Sequence, residues 1–208
     1  MTELVFYTNP QSRGRIAHWM LEELDEPYET VWLDYGPQGT RSADYLAINP
    51  MGKIPALSHG GSVVTETPAL CAYLAARFPE KKLIPAAGDP GLAAFFRWLF
   101  FAAGPLEQTI TARSLGWEVP EERRGTVGFG SHGEVLDAIA QAVQNTPYVC
   151  GDGFTAADVY LASHLNWGMG FDSVEKRPEF VDYVARATDR PAYREANRIN
   201  EEKLAGNT

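Results

Sequence analysis

Apolar and polar positions in the first 85 residues switch between two periods. The run ELVFYT, Glu3 to Thr8, predicts a buried strand, and Asn9-Pro10-Gln11 a loop after it. Ile16, Met20 and Leu24 then recur every four residues, which predicts a helix beginning near Ser12. YETVWL, Tyr28 to Leu33, is a second strand, so the first strand-helix-strand unit implies a right-handed crossover and parallel pairing. Ile54 to Ser58 and Ser62 to Thr65 flank His59-Gly60-Gly61, the pattern of an antiparallel hairpin with a tight turn. Thr67-Pro68 opens a further helix, with Thr67 expected as N-cap, Pro68 at the first helical position, and Leu70, Tyr73, Leu74 and Phe78 on one face. The predicted order is β-α-β-(α)-β-β-α, a small mixed sheet with helices packed on it.

Two prolines and two glycines in Pro85-Ala86-Ala87-Gly88-Asp89-Pro90-Gly91 interrupt any regular element and suggest a domain boundary. Beyond it the periodicity is helical with almost no strand signal, so an α/β domain over 1–85 and an all-helical domain over 86–208 are expected. Leu92 to Ala103 reads as a central buried helix. It is interrupted by Arg97 and is far shorter than the ~20 residues that cross a bilayer. In Phe154-Thr155-Ala156-Ala157-Asp158, Thr155 can cap a helix while Asp158 reaches back to its backbone N–H. The glycine-rich stretch from Gly116 to Gly133 reads as a connection, and Ala205 to Thr208 as a frayed end.

Composition narrows the function classes. The 208 residues are 45% hydrophobic and 22% charged, which is ordinary for a globular chain and excludes wholesale disorder. A net charge of −9 argues against sequence-independent binding to nucleic acid, which relies on clustered Lys and Arg. Two cysteines, Cys71 and Cys150, build neither a disulfide framework nor a CxxC or zinc cluster, so no metal is expected. With no basic n-region ahead of the short apolar run Leu4 to Tyr7, the expected location is the cytoplasm, with no membrane partner.

Four segments carry a family resemblance. Tyr7-Thr8-Asn9-Pro10-Gln11-Ser12-Arg13-Gly14-Arg15 runs from the first strand into the first helix. Asn49-Pro50-Met51-Gly52-Lys53-Ile54-Pro55-Ala56-Leu57 is similar to an NPxGKVPxL segment. Thr65-Glu66-Thr67-Pro68-Ala69-Leu70, with Tyr73-Leu74 and Arg77-Phe78-Pro79, resembles ESxAIxxYL…RFP, and Phe154 to Asp158 resembles a capping motif. In order and spacing these resemble the glutathione transferases over essentially the whole chain. The resemblance implies a thioredoxin-like N-terminal domain, an all-α helical-bundle C-terminal domain, glutathione as co-substrate and a homodimer.

It also implies site residues. Pro55 resembles the family's cis-proline, which would leave the backbone of Ile54 free to pair with the cysteinyl unit of glutathione in strand-like fashion. Glu66 and Thr67 resemble the pair that holds the γ-glutamyl end, Glu66 facing its ammonium and Thr67 with nearby backbone N–H groups its carboxylate. Lys53 is the candidate for the glycyl carboxylate. Taking free cysteine as proxy, a thiol of pKa about 8.5 becomes mainly thiolate at neutral pH after a downward shift of ~2 units, about 2.7 kcal/mol. A hydrogen bond to a charged group contributes ~1.5–3 kcal/mol and a helix N-terminus ~0.3–1. One hydroxyl donor at the start of the first helix therefore suffices.

Ser12, beside Arg13, is the candidate donor, as in serine-type transferases. Tyr7 resembles the tyrosine of the tyrosine-type classes and Arg13-Gly14-Arg15 their RGR triplet, with six positions between Tyr7 and Arg13 instead of four. Thr8 and Asn9 are further alternatives. Phe100, Phe101, Trp117 and Trp167 are candidate walls for a small hydrophobic electrophile. The implied function is thiolate transfer from glutathione to that electrophile. The alternatives are a glutathione-dependent reductase or dehalogenase, or a non-catalytic ligand-binding or interaction protein on the same fold.

Overall fold

The structure, a computed structural model, describes residues 4–206. Glu3, expected at the start of the first strand, and Asn207 and Thr208, expected as part of a frayed end, lie outside the described residues. The elements in chain order are β1 (Leu4–Thr8), α1 (Gly14–Leu24), β2 (Glu29–Trp32), α2 (Ala43–Ile48), β3 (Ala56–His59), β4 (Ser62–Thr65), α3 (Thr67–Arg77), α4 (Gly91–Phe101), α5 (Glu107–Ser114), α6 (His132–Val143), α7 (Ala156–Gly170), α8 (Pro178–Thr188) and α9 (Pro191–Ala205). They group into two compact units, 4–81 with 190–206, and 82–189.

In the first unit a mixed sheet has the order β2-β1-β3-β4. β1 pairs parallel with β2, Val5 opposite Glu29, and antiparallel with β3, Phe6 opposite Leu57. Leu4, Phe6 and Thr8 alternate into the core, while Val5 and Tyr7 are half-buried, the period-2 pattern of a strand between two layers. β3 and β4 join through Gly60 and Gly61, whose φ values of 56° and 83° are those a two-residue hairpin turn demands. The expected third strand, Ile54 to Ser58, is corrected to Ala56–His59. Ile54-Pro55 is a cis peptide ahead of the ladder, where proline has no N–H to contribute.

The start of α3 is corrected by one residue. Thr67 is the first helical residue, and the N-cap is Glu66, held at φ 65°, ψ 117° with its carbonyl accepting from Leu70 N–H at 2.9 Å. A positive φ at a non-glycine residue is a sparsely populated conformation of the kind that gathers at ligand clamps.

Helix α9 packs on α1 in this same unit, although the sequence reading places residues 190–208 with the helical domain. The contact is polar as well as apolar. Arg190 makes a two-pronged ion pair with Glu23 at 2.6 and 2.7 Å, Arg15 pairs with Glu201, and Asn200 reaches His18.

The second unit is helical. The expectation of a central buried helix over 92–103 is corrected. α4 buries Phe95, Trp98 and Leu99 on one side, while Phe96 and Phe100 are exposed. The buried helix is α7, with 12 of its 15 residues inside, packed against α4 and α8. Its start is the expected capping box. Asp158 Oδ2 accepts from Thr155 N–H and Oγ1, both at 2.9 Å, and Oδ1 accepts from Val149 N–H at 2.9 Å and Tyr183 O–H at 2.8 Å. No helix among the described residues is long and apolar enough to cross a membrane.

Candidate functional site

The first unit contains a cleft of about 440 Å³ between the β1–α1 turn, the loop after β2 and the segment ahead of β3. That lies within the ~300–1,000 Å³ usual for small-molecule sites. Gln11, Ser12 and Arg13 form one wall, Tyr35, Gly36, Thr40 and Arg41 another, and Gly52, Lys53 and Ile54 the floor. Three cationic side chains and no carboxylate line it, in a chain of net charge −9. The cleft therefore favours an anionic ligand.

Ser12 is held in a tight turn. Its N–H and its hydroxyl both donate to the Asn9 carbonyl, at 3.1 and 2.7 Å, and its Oγ accepts from Gly14 N–H at 2.9 Å. Ser12 thus satisfies one of the free N–H groups at the start of α1 while standing at the cleft wall. Asn9 is fully engaged as scaffold. Its Nδ2 donates to Leu33 O at 2.8 Å and its Oδ1 accepts from Gln11 N–H at 2.9 Å. Thr8 is buried beneath Gly14, its Oγ1 without a hydrogen-bond partner, and does not line the cleft. Tyr7 packs its ring on Tyr45 at 5.8 Å and does not line it either.

The floor is positioned by two residues the sequence reading did not single out for this. Tyr45 Oη and Asn49 Nδ2 both donate to the Lys53 carbonyl, at 2.6 and 2.7 Å. Tyr45 is nearly inaccessible, and burial raises its phenol to about 12, so at neutral pH it stays a donor. With Lys53 O tied down, the cis Ile54-Pro55 peptide follows in a fixed direction. Among the described residues the backbone N–H and C=O of Ile54 take no part in the sheet ladders or the loop hydrogen bonds. The Lys53 side chain is exposed and Pro55 is buried.

Glu66 and Thr67 do not line this cleft. They follow directly on the last pair of the β3–β4 ladder, in which Ala56 opposes Thr65. Glu66 is exposed and Thr67 buried at the start of α3. The sequence also missed Tyr35 and Arg41. Tyr35 Oη donates to Gln11 O at 3.2 Å across the cleft, and Arg41 packs over Gly52. Nothing in the periodicity of a loop marks such residues.

Neither cysteine belongs to the site. Cys71 is fully buried, and burial pushes its thiol up to about 12; Cys150 lies beside Thr155 with its thiol pushed up to about 11, again chiefly by burial. Among the described residues no group of three or more His, Cys, Asp or Glu side chains is placed to hold a metal ion.

Comparison with known proteins bears on the family and the fold. Residues 13–77 match the family model for the glutathione S-transferase N-terminal domain and residues 122–191 that for the C-terminal domain. Glutathione S-transferase GstA of Escherichia coli O157:H7 is 27% identical over 92% of this chain and 96% of its own. Maleylacetoacetate isomerase of Pseudomonas aeruginosa is 30% identical over 77% of this chain and 78% of its own. The structure of a glutathione transferase homologue from Sulfitobacter with bound glutathione superposes with a TM-score of 0.75 at 27% identity, covering 95% of this chain and 98% of that one. With both domain models matched in order along the chain and a relative 30% identical over most of it, the chain belongs to the glutathione S-transferases.

Proposed function

We propose that the protein binds glutathione in the cationic cleft and transfers its thiolate to a small hydrophobic electrophile, with Ser12 as the thiolate's hydrogen-bond donor. The observation that carries this reading is the cleft itself, which gathers the Ser12 hydroxyl, the Lys53 side chain and the unpaired backbone of Ile54. Ile54 beside Pro55 would pair with the cysteinyl unit, Lys53 would meet the glycyl carboxylate, and Glu66 with Thr67 would take the γ-glutamyl end. Residues 1–85 would form the glutathione-binding domain and 86–208 the helical domain, α9 of the latter packing on α1, in a cytoplasmic homodimer.

The Ser12 proton points at the Asn9 carbonyl, and energetics favour its redirection. A neutral hydrogen bond contributes about 0.5–1.5 kcal/mol net, one to a charged group about 1.5–3. A thiolate within reach of Oγ therefore replaces Asn9 O as the acceptor of the Ser12 O–H hydrogen bond, while Oγ keeps accepting from Gly14 N–H. The thiol proton leaves to solvent, the sulfur forms a bond to the electrophilic carbon, and the displaced group departs or the adduct takes up a proton.

A second reading is favoured by the isomerase relative: thiolate addition to a conjugated double bond, rotation, and expulsion of the same thiolate. A panel of aryl halides, enones, peroxides, disulfides and cis-enediones assayed with glutathione separates transfer, reduction and isomerisation. Ser12→Ala should lower kcat/KM by about 10- to 150-fold and move the ascending limb of the pH–rate profile toward about 8.5. Unchanged rate and limb in that variant would remove Ser12 from the chemistry. Tight glutathione binding with no turnover on any substrate would leave a binding protein.

A further inference from the structure

The second unit holds a smaller cleft of its own, about 160 Å³, between the last turn of α5, the loop that follows and the start of α6. Its walls combine two guanidinium groups, Arg113 and Arg124, with two aromatic rings, Trp117 and Phe129, and an inner polar edge of Thr109 and His132. No carboxylate lines it. Glu121 stands 3.8 Å from Arg124 in an exposed pair, and Glu134 is turned back onto the Ser131 hydroxyl at 2.6 Å. Arg113 makes no ion pair among the described residues. Trp117, 66% exposed, is a large ring left facing solvent at the mouth.

Size and chemistry together specify a ligand class. A cavity near 150 Å³ accepts one benzene-sized ring, and this one is about 160 Å³. The aromatic walls suit a ring face and the guanidinium groups suit a planar carboxylate, which arginine binds in bidentate fashion. Thr109, 1% exposed, meets His132 Nδ1 through its Oγ1 at 3.3 Å, so the inner edge is already hydrogen-bonded. Burial and then Arg113 hold the His132 imidazole below its usual range, with Glu175 opposing and Arg177 adding to the effect. At neutral pH the positive charge at this cleft is therefore that of the arginines.

We infer that this cleft is a binding site for a monocyclic aromatic carboxylate; it shares no lining residue with the cleft at Ser12. It involves no reaction at Ser12 and stands whether or not the proposed transfer chemistry is correct. Benzoate, titrated calorimetrically into the full-length protein, is the probe, with inorganic phosphate and benzyl alcohol as the arms that carry only the charge or only the ring. A Kd between about 0.1 and 1 mM is expected for a ligand of this size. The Arg113→Gln/Arg124→Gln double variant should weaken it by about 10-fold or more, Trp117→Ala should also weaken it, and Lys53→Ala should leave it unchanged. The inference is overturned by no saturable binding up to about 10 mM, by phosphate or benzyl alcohol binding as tightly as benzoate, by retention in the double variant, or by loss in Lys53→Ala.

Discussion

Asn200 on α9 donates through Nδ2 to Nδ1 of His18 on α1 across 3.0 Å, a bond between residues 182 positions apart in the chain. The same amide donates its other proton to the Ala196 carbonyl at 2.7 Å, which fixes its orientation. His18 Nδ1 must then be the acceptor, so Nε2 carries the ring proton and faces Tyr28 Oη at 2.7 Å, while the Tyr28 hydroxyl donates to Glu22. Asn200 and His18 are both fully buried. This polar chain holds the C-terminal helix on the first.

Removing the donor should therefore cost stability well beyond the lost contact. Asn200→Ala leaves His18 Nδ1 buried and unpaired, and should destabilise the first unit by about 1–3 kcal/mol. Urea denaturation reads this as a lower midpoint at a similar slope. A midpoint unmoved by the substitution would mean that α9 is held by its other contacts alone.

The same imidazole makes stability pH-dependent. Burial, first among the causes, lowers the His18 pKa from 6.5 to about 4. The unfolded chain thus binds a proton between pH 6.5 and 4 that the folded chain refuses, so the stabilisation is complete above 6.5 and is lost as pH falls toward 4. The full effect is about 3 kcal/mol. Burial pushes the Glu22 carboxyl upward, a contribution present at low pH and lost as pH rises through its folded value, which opposes the histidine slope. Denaturation at several pH values, wild type against His18→Gln, isolates the imidazole: the difference between the two should widen from pH 4 to 6.5 and then level off.

Gly14 is required by close approach. A Cβ there would lie 1.8 Å from Thr8 Oγ1 and 2.9 Å from Ser12 Oγ. Gly14→Ala should destabilise by at least about 1–3 kcal/mol through overpacking, and by displacing Ser12 it should also lower activity. Thr8→Ala removes the obstructing hydroxyl, so the Thr8→Ala/Gly14→Ala double variant should recover much of the lost stability. Additive losses in the double variant would show that the Thr8 contact is not the cause.

Asp158 accepts four hydrogen bonds at 0% exposure. Burial raises its pKa, with Val149 N–H, Thr155 N–H, the Tyr183 hydroxyl and Thr155 Oγ1 pulling the other way. Asp158→Ala strands those donors and should cost about 3–5 kcal/mol, seen as a lower melting temperature. Asp158→Asn, which keeps one acceptor oxygen, should lose less. Equal losses would assign the effect to the full carboxylate, with one acceptor oxygen and the side-chain volume contributing nothing.

Much of this molecule is written locally. The period of Leu4 to Thr8, the four-residue spacing of Ile16, Met20 and Leu24, the Gly60-Gly61 turn and the Thr155–Asp158 box all depend on residues a few positions apart. Their geometry follows from backbone and side-chain sterics within one element. One-residue errors, such as Thr67 for Glu66 at the start of α3, arise because the cap is decided by a φ of 65° that no pattern of apolar residues encodes. The sidedness of α4 was not legible either, since Phe95 and Phe96 look alike until one is buried.

The sequence by itself determined the strand and helix order of the first 85 residues, the capped helix at Thr155 and the segments that resemble the family. Only the tertiary structure decided that α9 packs beside α1, that Tyr45 and Asn49 hold the Lys53 carbonyl, and that Tyr35 and Arg41 join Ser12 around one cleft. The physical reason is range. Secondary structure is settled by neighbours within a few residues, whereas a cleft is a set of distances between loops, and a buried amide such as Asn200 has a purpose only once its distant partner is in place.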